Sequence, residues 1–137
     1  MSRILIFCES RFPINRKKIR QSVIEYLSDK ISADYEVGVN IVGDRKMKQL
    51  NNQYRKIDQT CSVLSFSLND PAVSTRQEIT SGFSSDKSSP DKILRLGDVV
   101  VSYPQTVLLS AETNRLVDHM VKELVEHGLD HLLGKHH

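Results

Sequence analysis

Tyr35-Glu36-Val37-Gly38-Val39-Asn40-Ile41-Val42-Gly43-Asp44 is the stretch on which the fold turns. From Tyr35 to Val42 the residues alternate and are rich in β-branched side chains, which favours an extended strand. Gly43-Asp44 stops the strand, and Asp44 can cap a following helix. In that helix Met47, Leu50 and Tyr54 share one face, and Arg45, Lys48, Asn52 and Arg55 share another. A strand that runs straight into an amphipathic helix needs a sheet for the helix to cover, so the neighbouring segments are read for more strands.

Upstream, Arg3 to Cys8 reads as a short buried strand, and Phe12-Pro13-Ile14-Asn15 as a turn with Asn15 as N-cap. Ile19, Val23, Leu27 and Ile31 recur every fourth position, which predicts an amphipathic helix from Arg16 to Ile31. Downstream, Val63 to Leu68 and Leu94 to Ser102 are strands, the second with Gly97 as a bulge candidate. Between them, 69–91 is polar and Ser-rich without a sustained period, and is expected to be a flexible loop. Pro104 suits the first turn of a short helix through about Leu109. Thr113 or Asn114 can cap a long last helix, whose apolar stripe runs from Leu116 to Leu132 and which Gly134 ends. The order β-α-β-α-β-β-α-α predicts an α+β fold: one domain over 1–137, with one mixed β-sheet of about four strands packed with helices.

Composition narrows the function classes. Of 137 residues, 39% are hydrophobic and 26% charged, which is globular rather than disordered. A net charge of +2 is compatible with a nucleic-acid partner but does not argue for one. With no Trp and 6% aromatic residues, a base-stacking platform is disfavoured. Cys8 and Cys61 make no disulfide framework, and the first apolar run, Ile4 to Cys8, is too short for a signal segment. No stretch approaches the roughly 20 apolar residues of a membrane span. The expected location is therefore the cytoplasm.

All five histidines fall within the last 19 residues, at His119, His127, His131, His136 and His137. His127 and His131 are four apart on a helix, so both rings leave one face and can bind one divalent metal. Gly134 lets the chain turn, and His137 can fold back to the same ion. This H-x3-H-x2-G-x2-H spacing is that of the metzincin zinc site, except that Gly128 stands where those proteases carry their Glu general base. A solvated helix face also carries histidine pairs, but the Gly and the third histidine make the pattern far more specific. Three neutral imidazoles leave one coordination position open, the pattern of a catalytic site at the C-terminal end of the last helix. Zinc, nickel, copper and iron all accept such ligands. His119, two turns before His127, reads as a surface residue.

Three separated stretches resemble the YbeY-type endoribonucleases. They are Leu50-Asn51-Asn52-Gln53-Tyr54-Arg55 leading to Val63-Leu64-Ser65-Phe66, Leu96-Gly97-Asp98-Val99-Val100-Val101-Ser102, and the histidine segment from His127 to His137. The resemblance implies a single-domain α+β fold, a zinc-type ion held by His127, His131 and His137, and an essential Arg55. It also implies an RNA substrate, chiefly the immature 3′ end of small-subunit rRNA, with a role in ribosome quality control on the small subunit or its precursors. This chain departs from the family pattern at Cys61-Ser62, where Thr-Asp is usual, and at Asp130 and His136.

These residues together suggest hydrolysis of an RNA phosphodiester, with Arg55 bidentate to the phosphate and Arg45 and Lys48 extending a basic stripe. Ser65 and Asp98 read as structural. No general base is evident; Asp130, on the flank of the histidine face, is a candidate. A metzincin-like peptide hydrolase and a non-catalytic ribosome-assembly factor are the competing readings. The missing Glu argues against the first.

Overall fold

A computed structural model describes residues 2–67 and 93–134. The loop expected over 69–91 and the residues His136 and His137 lie outside these. The described elements, in chain order, are β1 (Arg3–Cys8), α1 (Arg16–Leu27), β2 (Tyr35–Val42), α2 (Asp44–Arg55), β3 (Val63–Ser67), β4 (Leu94–Ser102), α3 (Tyr103–Thr113) and α4 (Val117–Leu132). The sheet order is β1-β2-β4-β3, with β1 and β4 parallel to β2 and β3 antiparallel to β4. The expected mixed sheet packed with helices is therefore the one observed.

β2 is buried along its whole length because helices cover both faces of the sheet. Tyr35, Val37, Val39 and Ile41 face a layer formed by Ile19, Val23 and Leu27 of α1 and Val121, Val125 and Leu129 of α4. On the opposite face Val42, Leu64, Phe66 and Val100 pack against Met47 and Leu50 of α2. The alternation of β2 hides polar residues on that second face, where burial demands partners. Glu36 is fully buried and lies 3.0 Å from Arg95 Nε and 3.6 Å from Arg3 Nη1, so one carboxylate ties β1, β2 and β4 together. Asn40 donates its side-chain amide to the Val99 carbonyl at 3.4 Å.

Asn15 caps α1 as expected, accepting from the Lys18 N–H at 3.1 Å. The helix stops at Leu27 instead of Ile31. The N–H groups of Lys30 and Ile31 both bond the Leu27 carbonyl at 3.0 Å, a turn that still tucks Ile31 against the core. Gly43, not Asp44, is the N-cap of α2. Asp44 instead accepts from Ser102 Oγ and Thr60 Oγ1, both at 2.9 Å, and from Gln105 Nε2 at 3.2 Å. One carboxylate thus pins the starts of α2 and α3 and the approach to β3, and it also suits the positive end of the α2 dipole. α3 runs past Leu109 to Thr113. Asn114 closes it in the left-handed region, at φ 56°, and does not open α4, whose N-cap is Leu116. Asn tolerates that conformation, so it can end a helix as readily as begin one.

The glycines at two positions set how closely chains approach. Gly97 sits at φ 128°, and the register against β2 jumps from Glu36↔Arg95 to Val37↔Gly97, which leaves Leu96 as the extra residue of a bulge. A Cβ at Gly97 would lie 2.1 Å from the Phe66 carbonyl oxygen. A Cβ at Gly128, in the middle of α4, would lie 2.6 Å from Val99 Cγ1. Among the described residues no helix is long and apolar enough to cross a membrane.

Val99 is fully buried in the sheet and has nowhere to move. Gly128→Ala is therefore expected to destabilise the fold by about 1 kcal/mol in urea denaturation, the overpacking cost of about 1–3 kcal/mol exceeding the gain in helix propensity of about 1 kcal/mol. Placed on Val99→Ala, the same change should become neutral or stabilising, and a strictly additive double-mutant cycle would refute this account.

Candidate functional site

Arg55 is the last residue of α2. Lys56, in the left-handed region at φ 60°, ends the helix there, and its N–H bonds the Asn52 carbonyl at 3.1 Å. The buried Asn51 side chain donates to the Gln59 carbonyl at 2.9 Å and holds the loop that follows. The Arg55 side chain is exposed at the end of this fixed stem.

His127 and His131 lie on the exposed side of α4, while Gly128 and Leu129 between them face the sheet. The imidazole centroids are 4.9 Å apart with the planes at 61°. Metal–nitrogen bonds of about 2.0–2.1 Å at a tetrahedral angle would put two ligating rings about 5 Å apart, so the pair fits a single ion. Gly134, at φ 85°, donates its N–H to the His131 carbonyl at 3.1 Å, and the chain turns there as expected. Among the described residues no third His, Cys, Asp or Glu completes a metal-binding group. The third expected donor, His137, lies outside those residues.

Arg55, His127 and His131 line one cleft of about 390 Å³, together with Val63, Leu64, Ser65 and Gly128. The arrangement arises because β3 is an edge strand. α2 covers one face of the sheet and α4 the other, and Arg55 of the one and His127 and His131 of the other meet beside β3, which no other described strand pairs on that side.

Other sequence candidates fall elsewhere. Arg45 and Lys48 border a separate depression with Asp44, Asp58, Gln59 and Thr60, and Lys48 Nζ is 3.8 Å from Asp58. The basic stripe of α2 therefore contributes only Arg55 to the cleft. Asp130 accepts a hydrogen bond from the Tyr26 hydroxyl of α1, so its carboxylate is engaged between the two helices and is not part of the cleft lining. His119 Nε2 lies 3.3 Å from Glu123, beside the groove between α1 and α4. At Gly128, the position of the protease Glu, any side chain meets Val99, so no general base fits there. Burial raises the Cys61 pKa and the nearby Arg55 charge offsets part of that, so Cys61 reads as a packed thiol rather than a nucleophile. Sequence reasoning did not single out Val63 and Leu64 as cleft residues. Only the position of β3 at the sheet edge reveals them.

The family model described as Endoribonuclease YbeY matches residues 7–137. The chain belongs to this family. An Endoribonuclease YbeY from Dehalococcoides mccartyi strain BAV1 is 34% identical over 102 residues, covering 74% of this chain and 61% of that protein. One from Desulforamulus reducens is 34% identical over 125 residues, covering 90% of this chain and 74% of that protein. One from Clostridium perfringens is 32% identical, covering 97% of this chain and 84% of that protein. The chain spans only about three-fifths of the length of the Dehalococcoides relatives it matches. A solution structure of a Thermotoga maritima protein superposes with a TM-score of 0.61 at 23% identity, over 98% of this chain and 74% of that one, and so shares the fold.

Tyr26 gives the α1–α4 junction a measurable signature. Burial first, and then the bond to Asp130, raise its pKa. The neutral phenol is the form the fold favours, so its contribution is complete below about pH 10, the unperturbed value, and is lost as pH rises through the raised one. Tyr26→Phe is expected to cost about 1–2 kcal/mol at neutral pH. Ultraviolet titration should find Tyr26 ionising above the ordinary tyrosine range, and a normal titration would remove this reading.

Proposed function

We propose that this chain is a metal-dependent endoribonuclease, active as a single domain in the cytoplasm. Its substrate would be single-stranded RNA, chiefly the immature 3′ end of small-subunit rRNA, within ribosome maturation and quality control. The observation that carries this is the meeting of one guanidinium and two imidazoles in one cleft, with no acidic side chain among its described lining residues. A polyanionic substrate is favoured by such a lining. Membership in a family whose relatives are named endoribonucleases supports the same reading.

His127, His131 and His137 are proposed as the ligands of one divalent ion, which we take to be zinc. Bound there, such an ion would polarise a phosphate oxygen and lower the pKa of a water at its open position. The imidazoles would hold it by their ring lone pairs, and a chain that turns at Gly134 would allow the third ligand to reach it. Arg55 offers paired N–H donors to two phosphate oxygens, orients the phosphodiester and stabilises the charge that gathers on it in the transition state. The capped helix end fixes where the Arg55 side chain starts, and its exposed head would be ordered on the phosphate.

The test is cleavage of a single-stranded rRNA fragment. Chelation should abolish it and added zinc restore it. Arg55→Ala is expected to lower kcat/KM by about 100-fold while leaving stability within about 0.5 kcal/mol, since the residue is exposed. His131→Ala should lose both bound metal and turnover. Undiminished cleavage in Arg55→Ala and His131→Ala would overturn the proposal, and RNA binding without cleavage by the wild type would favour a ribosome-assembly factor instead.

A further inference from the structure

β3 contributes more than a wall to the cleft. The Ser102 N–H donates to the Ser62 carbonyl at 2.9 Å, just before the strand begins. The register pairs Val63 with Val101, Leu64 with Val100 and Ser65 with Val99. Hydrogen-bonded and non-hydrogen-bonded pairs alternate in an antiparallel ladder. The Ser62–Ser102 bond therefore sets the phase: Leu64 and Phe66 direct their main-chain groups at β4, while Val63 and Ser65 direct theirs at the opposite side of β3, where no described strand pairs with it. The Val63 carbonyl already has the Cys61 thiol 3.7 Å away. Among the described residues, Ser65, which lines the cleft, is left presenting an N–H and a C=O side by side on that edge. It also stands opposite Val99, the residue against which Gly128 packs, so it lies beneath the turn that carries His127 and His131.

We propose that Ser65 positions the substrate, its main-chain N–H and C=O pairing with the base edge of one unstacked RNA nucleotide held between Arg55 and the histidines. This rests on the nuclease reading above. A donor beside an acceptor matches a nucleobase, whose Watson–Crick edge carries both. A phosphate only accepts, and would leave the carbonyl unsatisfied. The edge is free only in single strands, so this contact selects unpaired RNA. Each of the four bases has an adjacent donor and acceptor, so the contact requires a base without choosing strongly among them.

Ser65→Pro removes the outward N–H and leaves the β3–β4 ladder intact, because the ladder donors belong to Leu64 and Phe66. Proline is tolerated at such a position on an edge strand. The expected result is a KM raised about tenfold with kcat little changed, the loss of roughly one hydrogen bond. The decisive comparison uses oligonucleotides with and without a single abasic residue at the cleavage position. The wild type should discriminate between them, and Ser65→Pro should not. An unchanged KM and unchanged discrimination in a folded Ser65→Pro protein overturn the proposal. If that variant does not fold, amide NMR of the wild-type chain, kept metal-free with a chelator so that it does not cleave, with a single-stranded RNA oligonucleotide decides. The Ser65 amide should shift and exchange more slowly with solvent. Shifts at His127, His131 and Arg55 with Ser65 unmoved overturn this inference and leave the nuclease reading standing. Absence of any binding removes both.

Discussion

The close seating of α4 on β4 at Gly128 is the contact on which the site depends. There is no room for a Cβ between the helix and Val99. A helix held that near the sheet buries Val121, Val125 and Leu129 in the main core. The same rotation leaves the ring faces of His127 and His131 outside, over the neighbouring strand. Glycine costs a helix about 1 kcal/mol relative to alanine. The cost is offset by dense packing and by a fixed direction for both imidazoles. The same crowding explains why a protease-like carboxylate is absent beside the first histidine: the position faces the core.

The second constraint is the place of β3. In a sheet covered on both sides, side chains from opposite layers meet only at an edge. β3 is that edge, and it separates α2 on one face from α4 on the other. Arg55 and the histidines come from helices that do not cover the same face, yet they share one cleft. The scaffold behind them is stiffened by two carboxylates with different duties, the fully buried Glu36 and the half-buried Asp44. Glu36 joins β1, β2 and β4 through Arg3 and Arg95, and Asp44 joins α2, α3 and the entry to β3. Removing Arg95 would leave the Glu36 carboxylate buried without its nearer cation, which is costly; Asp44 instead works through neutral hydroxyl and amide donors.

The cleft itself lacks buried charge. Arg55, His127 and His131 are all exposed, and the other described lining residues, Val63, Leu64, Ser65 and Gly128, carry no charge. An exposed guanidinium costs the fold nothing in burial and stays accessible from solvent. Asp130 illustrates the opposite case. On the flank of the same helix, it is turned toward α1 and engaged by Tyr26, outside the described lining of the cleft.

Much of this protein is legible in its residues taken singly. Four-residue spacing puts His127 and His131 on one helix face, Asn15 caps α1, Gly97 makes a bulge, and alternation from Tyr35 to Val42 makes a strand. Each of these follows from interactions within about one turn or one strand pair, which the local sequence contains in full. Strand order does not. Nothing near Val63 says that β3 lies at the edge of the described sheet, that Ser65 lines a cleft, or that Arg55 shares it with the histidines and Lys48 does not. Those facts follow from which long-range pairing buries both faces of β2 and from where helices then fit. For the same reason Asn114, a plausible start for α4, instead closes α3, and Asp130 joins Tyr26. Local chemistry offers these residues several partners, and only the packed chain chooses among them.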